Sequence, residues 1–123
     1  MIRFKIKRVY DAAEESDGLR VLVDKLWPRG VKKSDLKYDL WAKTISPSDA
    51  LRKMFHEDPE RNWEEFARRY EAELEQSHEF SAFAERIKQL APSTVTLLFA
   101  FRNAEKNHAF VLKCALEKQF EAH

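Results

Sequence analysis

The sequence predicts a single three-layer α/β domain in which a small, mostly parallel sheet is flanked by helices on both faces. Three observations lead there. Strand-like segments stand early and late in the chain, helical periodicity fills the middle, and the most apolar strand, TVTLLFAF, comes near the end. Strands separated by helical stretches form layered sheets whose parallel strands are joined by right-handed crossovers. Residues 1–123 fit one domain, and 44% hydrophobic residues supply a core without disulfides or a structural metal.

Each element has its own local reason. Ile2, Phe4 and Ile6 alternate with Arg3, Lys5 and Lys7, the period of a half-buried strand. Asp11 to Gly18 is acidic and turn-prone. Leu19 to Leu26 reads as a second strand, with Val21, Leu22 and Val23 in succession marking burial on both faces. Pro28 ends it by removing a backbone donor, and Gly30 permits a positive φ. Lys32 to Leu36 has the composition of one helical turn capped by Ser34, and Leu40 to Ile45 reads as a short strand.

Ser46 as N-cap and Pro47 at the first helical position are expected to start a helix running to about Phe55, where HEDPE interrupts it. Trp63, Phe66, Tyr70 and Leu74 then share one helical face, and Phe80, Phe83, Ala84, Ile87 and Leu90 share another. Thr94 to Phe101 is the central-strand candidate, rich in β-branched and large apolar residues. Asn103 is expected to cap a last helix, Ala104 to Phe120, that buries Ala109, Leu112, Leu116 and Phe120.

Composition narrows function. Twenty-two basic and 21 acidic residues give a net charge of +1, mixed along the chain, which argues against a general nucleic-acid binder. The lone Cys114 cannot form an internal disulfide, MIRFKIKRVY has no signal-peptide core, and no apolar run is long enough to span a bilayer. A soluble, cytoplasmic protein is expected.

In open parallel sheets, ligands sit outside the carboxyl ends of the strands. If Leu19–Leu26 and Thr94–Phe101 are parallel neighbours, one end delivers Asp24, Lys25, Trp27 and Arg29, and the other Arg102, Asn103, Asn107 and His108. Arginine offers a planar fork of donors to carboxylate or phosphate, and a helix N-terminus adds unpaired backbone donors. Lys25, Trp27, Arg29, Arg102, Asn103 and Asn107 are therefore the expected ligand-binding residues, with His108 as the candidate proton donor or acceptor.

Each also has a structural reading. Trp27 and Pro28 would pack over the sheet edge, and Asp24 with Lys25 would be a surface pair. Arg29 would cap a carbonyl, Asn103 would cap a helix, and His108 would make a local hydrogen bond. His56, Glu57 and Asp58 cluster without metal-ligand spacing, and His78 and His123 lack evident partners. Cys114, in mid-helix, reads as a small hydrophobe. No metal and no cofactor is expected, because phosphate-binding glycine loops, nucleophile elbows and CxxC pairs do not occur.

VDKLWPRGVKK, LWAKTISPSDALRKMFHEDPERNWEEFARRYEAEL and TLLFAFRNAEKNHAFVLK together resemble the YeaO-like family, domain of unknown function 488. The likeness runs from Leu19 to Lys113 and implies a small bacterial α/β domain without implying a reaction. Trp27, Pro28, Arg29 and Gly30 match its first motif, and Asn107 and His108 its second. Lys25 stands where relatives commonly carry arginine, Asn103 where they often carry aspartate, and Lys106 where they often carry histidine. Such changes would spare binding more than acid–base catalysis.

Three functions follow. The expected one is binding of a small phosphate- or carboxylate-bearing molecule. The alternatives are an enzyme on such a metabolite using His108, and an interaction or regulatory module docking through faces such as Trp63, Phe66 and Tyr70.

Overall fold

A computed structural model describes residues 1–121; His123 lies outside them. Strands β1 (Arg3–Arg8), β2 (Leu19–Leu22), β3 (Leu40–Trp41) and β4 (Thr94–Phe99) pair in the order β1-β4-β2-β3, every pair parallel. Helices α1 (Asp49–Glu57), α2 (Pro59–Glu75), α3 (His78–Leu90) and α4 (His108–Glu121) complete the α/β domain, with single 3₁₀ turns at Glu15–Asp17 and Lys43–Ile45. As its apolar run predicts, β4 is an interior strand, with Val95 to Phe99 buried.

One face of the sheet carries the main core. Phe4, Val21, Val95, Leu97 and Phe99 pack there with Leu51, Phe66, Tyr70, Ile87 and Leu112, which come from all four helices. Phe66 and Tyr70 are buried in this core and the half-buried Trp63 packs against it, so most of that helical face is committed to the fold. Leu90 is the exception among the predicted core positions; it is exposed at the end of α3, where Ala91 turns left-handed.

The opposite face differs from the expectation of helices on both sides. Leu22 and Leu98 are covered by Val9, Leu36, Trp27, Val31 and Trp41, none of them helical. Pro28, Gly30 (φ 78°) and Asp35 punctuate this stretch. Lys32–Leu36 makes only a turn closed by Asp35 N–H donating to the Lys32 carbonyl (2.9 Å). Beside it lies a buried ionic cluster. Asp17 is fully buried and accepts from Lys7 and Arg20, with Lys5 3.5 Å away. Gly18 is required here: at φ 63°, a Cβ would come within 2.3 Å of the Thr94 carbonyl oxygen.

Several boundaries move, each for a visible reason. β2 ends at Leu22, short of Leu26, because Asp24 Oδ2 takes the Ala100 N–H (3.0 Å) that would extend the ladder. β3 stops at Trp41 and a 3₁₀ turn replaces its predicted continuation to Ile45. Ser48, not Ser46, caps α1 by accepting from Leu51 N–H (3.3 Å), while the Ser46 hydroxyl donates to the Val23 carbonyl (3.2 Å). α4 begins at His108, capped by Asn107 and not by Asn103. No described helix is long and apolar enough to cross a membrane.

Candidate functional site

The parallel pairing of β2 with β4 puts both carboxyl ends at one rim, as the two-loop expectation required. A cleft of about 310 Å³ opens there, at the lower end of the size range of small-molecule pockets. Lys25, Trp27, Arg29 and His108 line it, together with Asp24 and Phe101. Helix α1 adds Arg52 and His56.

The remaining predicted residues do not line the cleft. Arg102 is exposed beside it, and Asn103 makes a turn in which Oδ1 accepts from the N–H groups of Glu105 and Lys106 (2.9 and 3.0 Å). Asn107 is fully buried: Oδ1 accepts from Phe110 N–H (2.9 Å) and Nδ2 donates to the Asn103 carbonyl (3.0 Å). Its amide is spent on starting α4 and on aiming His108 at the rim.

Asp24 organises the base of the cleft. One carboxylate oxygen holds Ala100 N–H, and the Asp24 carbonyl accepts from Trp41 Nε1 (2.7 Å). The other oxygen lies 2.9 Å from His108 Nε2, off the hydrogen-bonding direction, so both atoms are buried without an aligned partner. The contact is thus one of opposed polar groups, not a formed hydrogen bond. Ser46 lines the cleft as well, but its hydroxyl is committed to the Val23 carbonyl, so it stands as no activated nucleophile.

The cations are held unequally. Lys25 pairs with Asp49, which Arg52 also reaches at 3.4 Å. The hydrogen bond and charge of Lys25, aided by Arg52, hold the Asp49 carboxyl below its ordinary value. The Arg29 carbonyl accepts from the Tyr10 hydroxyl (3.2 Å), whereas its guanidinium has no ion-pair or hydrogen-bond partner among the described residues. Three cations face two carboxylates, Asp24 and Asp49, which leaves one surplus positive charge before the two histidines are counted. Burial, then the charge of Arg52, then that of His108, push the His56 ring below its ordinary value, so it is readily neutral.

Trp27 fulfils its structural reading and still borders the cleft. Its Nε1 donates to the Val31 carbonyl (2.6 Å), and its ring meets Trp41 and Tyr38 edge-on at 5.6 and 5.7 Å. Arg52 and His56 were not foreseen. Their spacing of four on one helix was the available signal, but using it required knowing that α1 starts beside the carboxyl end of β2. Cys114 is half-buried and burial pushes its thiol up, away from reactivity. Among the described residues, no three His, Cys, Asp or Glu side chains are grouped as a metal ion would need.

The family model of the inactive DUF488-N3 subclade matches residues 3–123. The chain belongs to the DUF488 family. The uncharacterised protein YeaO of Escherichia coli (strain K12) is 46% identical over 111 residues, covering 90% of this chain and 94% of that protein. Uncharacterised proteins of Mycobacterium bovis (Mb3100c) and Mycobacterium tuberculosis H37Rv (Rv3073c) are 43% identical over 110 residues, covering 89% of this chain and 90% of theirs. No solved structure gives a significant match. The resemblance read from the WPRG and NHA segments is therefore correct at the family level. In this DUF488 chain the first segment brings Trp27 and Arg29 to the cleft, and the second divides its labour: Asn107 builds the helix start and His108 faces the cleft.

Proposed function

We propose that this DUF488 domain binds a small anion at the carboxyl ends of β2 and β4 and releases it unchanged. The observation that carries this reading is the Arg29 guanidinium, without an internal partner, bordering a cleft that also receives Lys25 and Arg52. A guanidinium fork is suited to two oxygens of a carboxylate or phosphate. The description of the matched subclade as inactive supports binding without turnover.

Thermal-shift measurement against a panel of nucleotides and phosphate- or carboxylate-bearing metabolites tests it. A compound at 100 times its Kd stabilises by about 2.7 kcal/mol, well within detection. Arg29→Ala and Arg52→Ala are each expected to weaken the hit roughly tenfold, the scale of one charge-assisted hydrogen bond. A panel with no stabiliser, or a hit indifferent to both variants, would overturn the proposal.

The closeness of Asp24 Oδ1 to His108 Nε2 (2.9 Å) favours a second reading, an enzyme in which His108 moves a proton. Recovery of a chemically altered ligand, lost in His108→Ala, would select that reading; quantitative recovery of unaltered ligand selects binding.

A further inference from the structure

The cleft joins two different apolar clusters across the rim of the sheet. Trp27 comes from the cluster on the loop-covered face, while Phe55 and Phe101 come from the helix-covered face. Trp27 and Phe101 are half-buried, and each ring is already fixed by neighbours: Trp27 by its bond to the Val31 carbonyl, Phe101 by Phe55 at 5.2 Å and the His56 ring at 5.6 Å. A bare anion such as inorganic phosphate would engage Arg29 and Arg52 and leave these rings wetted. A guest that covers them must carry an apolar body beside its charge.

We infer that the cleft recognises an aryl-bearing anion, its ring set against Trp27 and Phe101 and its carboxylate or phosphate on Arg29 and Arg52. This rests on the anion-binding reading above and specifies its ligand class. Preorganised aromatic walls favour a planar guest because ring–ring contact adds to simple area burial and little side-chain freedom is lost on binding. The rim position matters chemically: Trp27 shares the loop after β2 with Arg29, and Phe55 shares α1 with Arg52, so one guest at this rim can meet an apolar wall and a cation together.

A two-by-two titration of the intact protein separates the ring from the charge. Phenyl phosphate, methyl phosphate, benzoate and acetate are titrated by calorimetry, with benzyl alcohol as the uncharged aryl control. The aryl anions are expected to bind at least roughly tenfold more tightly than their methyl counterparts, from the area one ring removes from water. The head group that binds better distinguishes phosphate from carboxylate ligands. Phe101→Leu, which keeps an apolar side chain and removes the flat face, is expected to shrink the preference for phenyl phosphate over methyl phosphate several-fold; its fold is checked by circular dichroism. Equal affinities within each aryl and methyl pair would overturn the aryl inference and leave anion binding standing. Benzyl alcohol matching phenyl phosphate, or no binding by any anion, would overturn both.

Discussion

Asp17 and Asp24 flank β2, one before its first residue and one after its last; Asp17 meets lysine and arginine, and Asp24 faces an imidazole. The amino end is closed. Asp17 is fully buried, and its two oxygens accept from Lys7, from Arg20 and from the Glu14 N–H (3.0 Å). The carboxyl end is open. Asp24 gives one oxygen to Ala100 N–H and turns the other to His108 without forming an aligned bond, while Arg29 nearby has no internal partner among the described residues. Similar residue types therefore do different work at the two ends. Hydrogen-bonding capacity that is used up inside specifies structure; capacity left over at a concave rim is available to a guest. The difference follows from the sheet. The carboxyl ends of parallel strands feed divergent loops, whereas the amino end here is sealed by the turn at Glu15–Asp17.

The sharpest test of that contrast is to break the closed cluster. Asp17→Ala leaves Arg20 and Lys7 near or within the interior without their shared acceptor, and is expected to cost about 3–5 kcal/mol in urea unfolding. The acid response carries the same signature. Burial raises the Asp17 carboxyl, but the Glu14 N–H, Lys7 and Arg20 outweigh it and hold the group well below the usual carboxylate range. A depressed folded value means the stabilisation is complete above the ordinary value of 3.8 and is lost as pH falls below it toward the folded value. Asp17→Asn should flatten that acid limb. A loss under about 1 kcal/mol for the alanine variant would show that the cluster is not structural.

Asp24→Asn probes the open end and should have a smaller effect. Asparagine keeps an oxygen for Ala100 N–H and changes only the oxygen facing His108, whose bond is not aligned. The expected cost is about 1–2 kcal/mol, that of disturbing a partly satisfied polar contact. A loss as large as that of Asp17→Ala would erase the distinction between the two ends.

The fold was legible where pattern and burial coincide. The alternation of Ile2, Phe4 and Ile6 and the apolar run of β4 place two strands because burial on a pleated surface demands those periods. Capping was less legible because several side chains compete for the same role. Ser46 and Ser48 both precede α1, and Asn103 and Asn107 both precede α4; a tertiary contact to the Val23 carbonyl takes Ser46 and a local turn to Glu105 and Lys106 takes Asn103, so in each case the second residue makes the cap. At the site, Lys25, Trp27, Arg29 and His108 were accessible to a strand-end rule. Arg52 and His56 were not, because they reach the cleft through the docking of α1, a long-range property of the fold.

The smallest expected effect, and the one that separates the two ends most cleanly by pH, belongs to His56. Its ring touches Phe55 and Phe101 and faces Arg52 of its own helix and His108 of α4, while Lys25, Arg29 and Asp24 border the same cleft from the loop after β2. Burial is the main cause of its lowered value, with Arg52 and then His108 adding to it. A depressed histidine is neutral in the folded protein near pH 7. Its contribution to stability is therefore complete above the ordinary value of 6.5 and is lost as pH falls through that value toward the folded one. Because the residue is only partly withdrawn from solvent, the loss should stay below about 1 kcal/mol, and His56→Gln should remove it. An anion on Arg52 and Arg29 would offset the repulsion, so NMR titration of the His56 ring should give a midpoint below 6.5 in the free protein that rises when phenyl phosphate is present. The closed end would then respond to pH only in acid and the open end near neutrality, as the presence of a bound anion changes. A His56 midpoint unmoved by a saturating anion would place that anion elsewhere on the molecule.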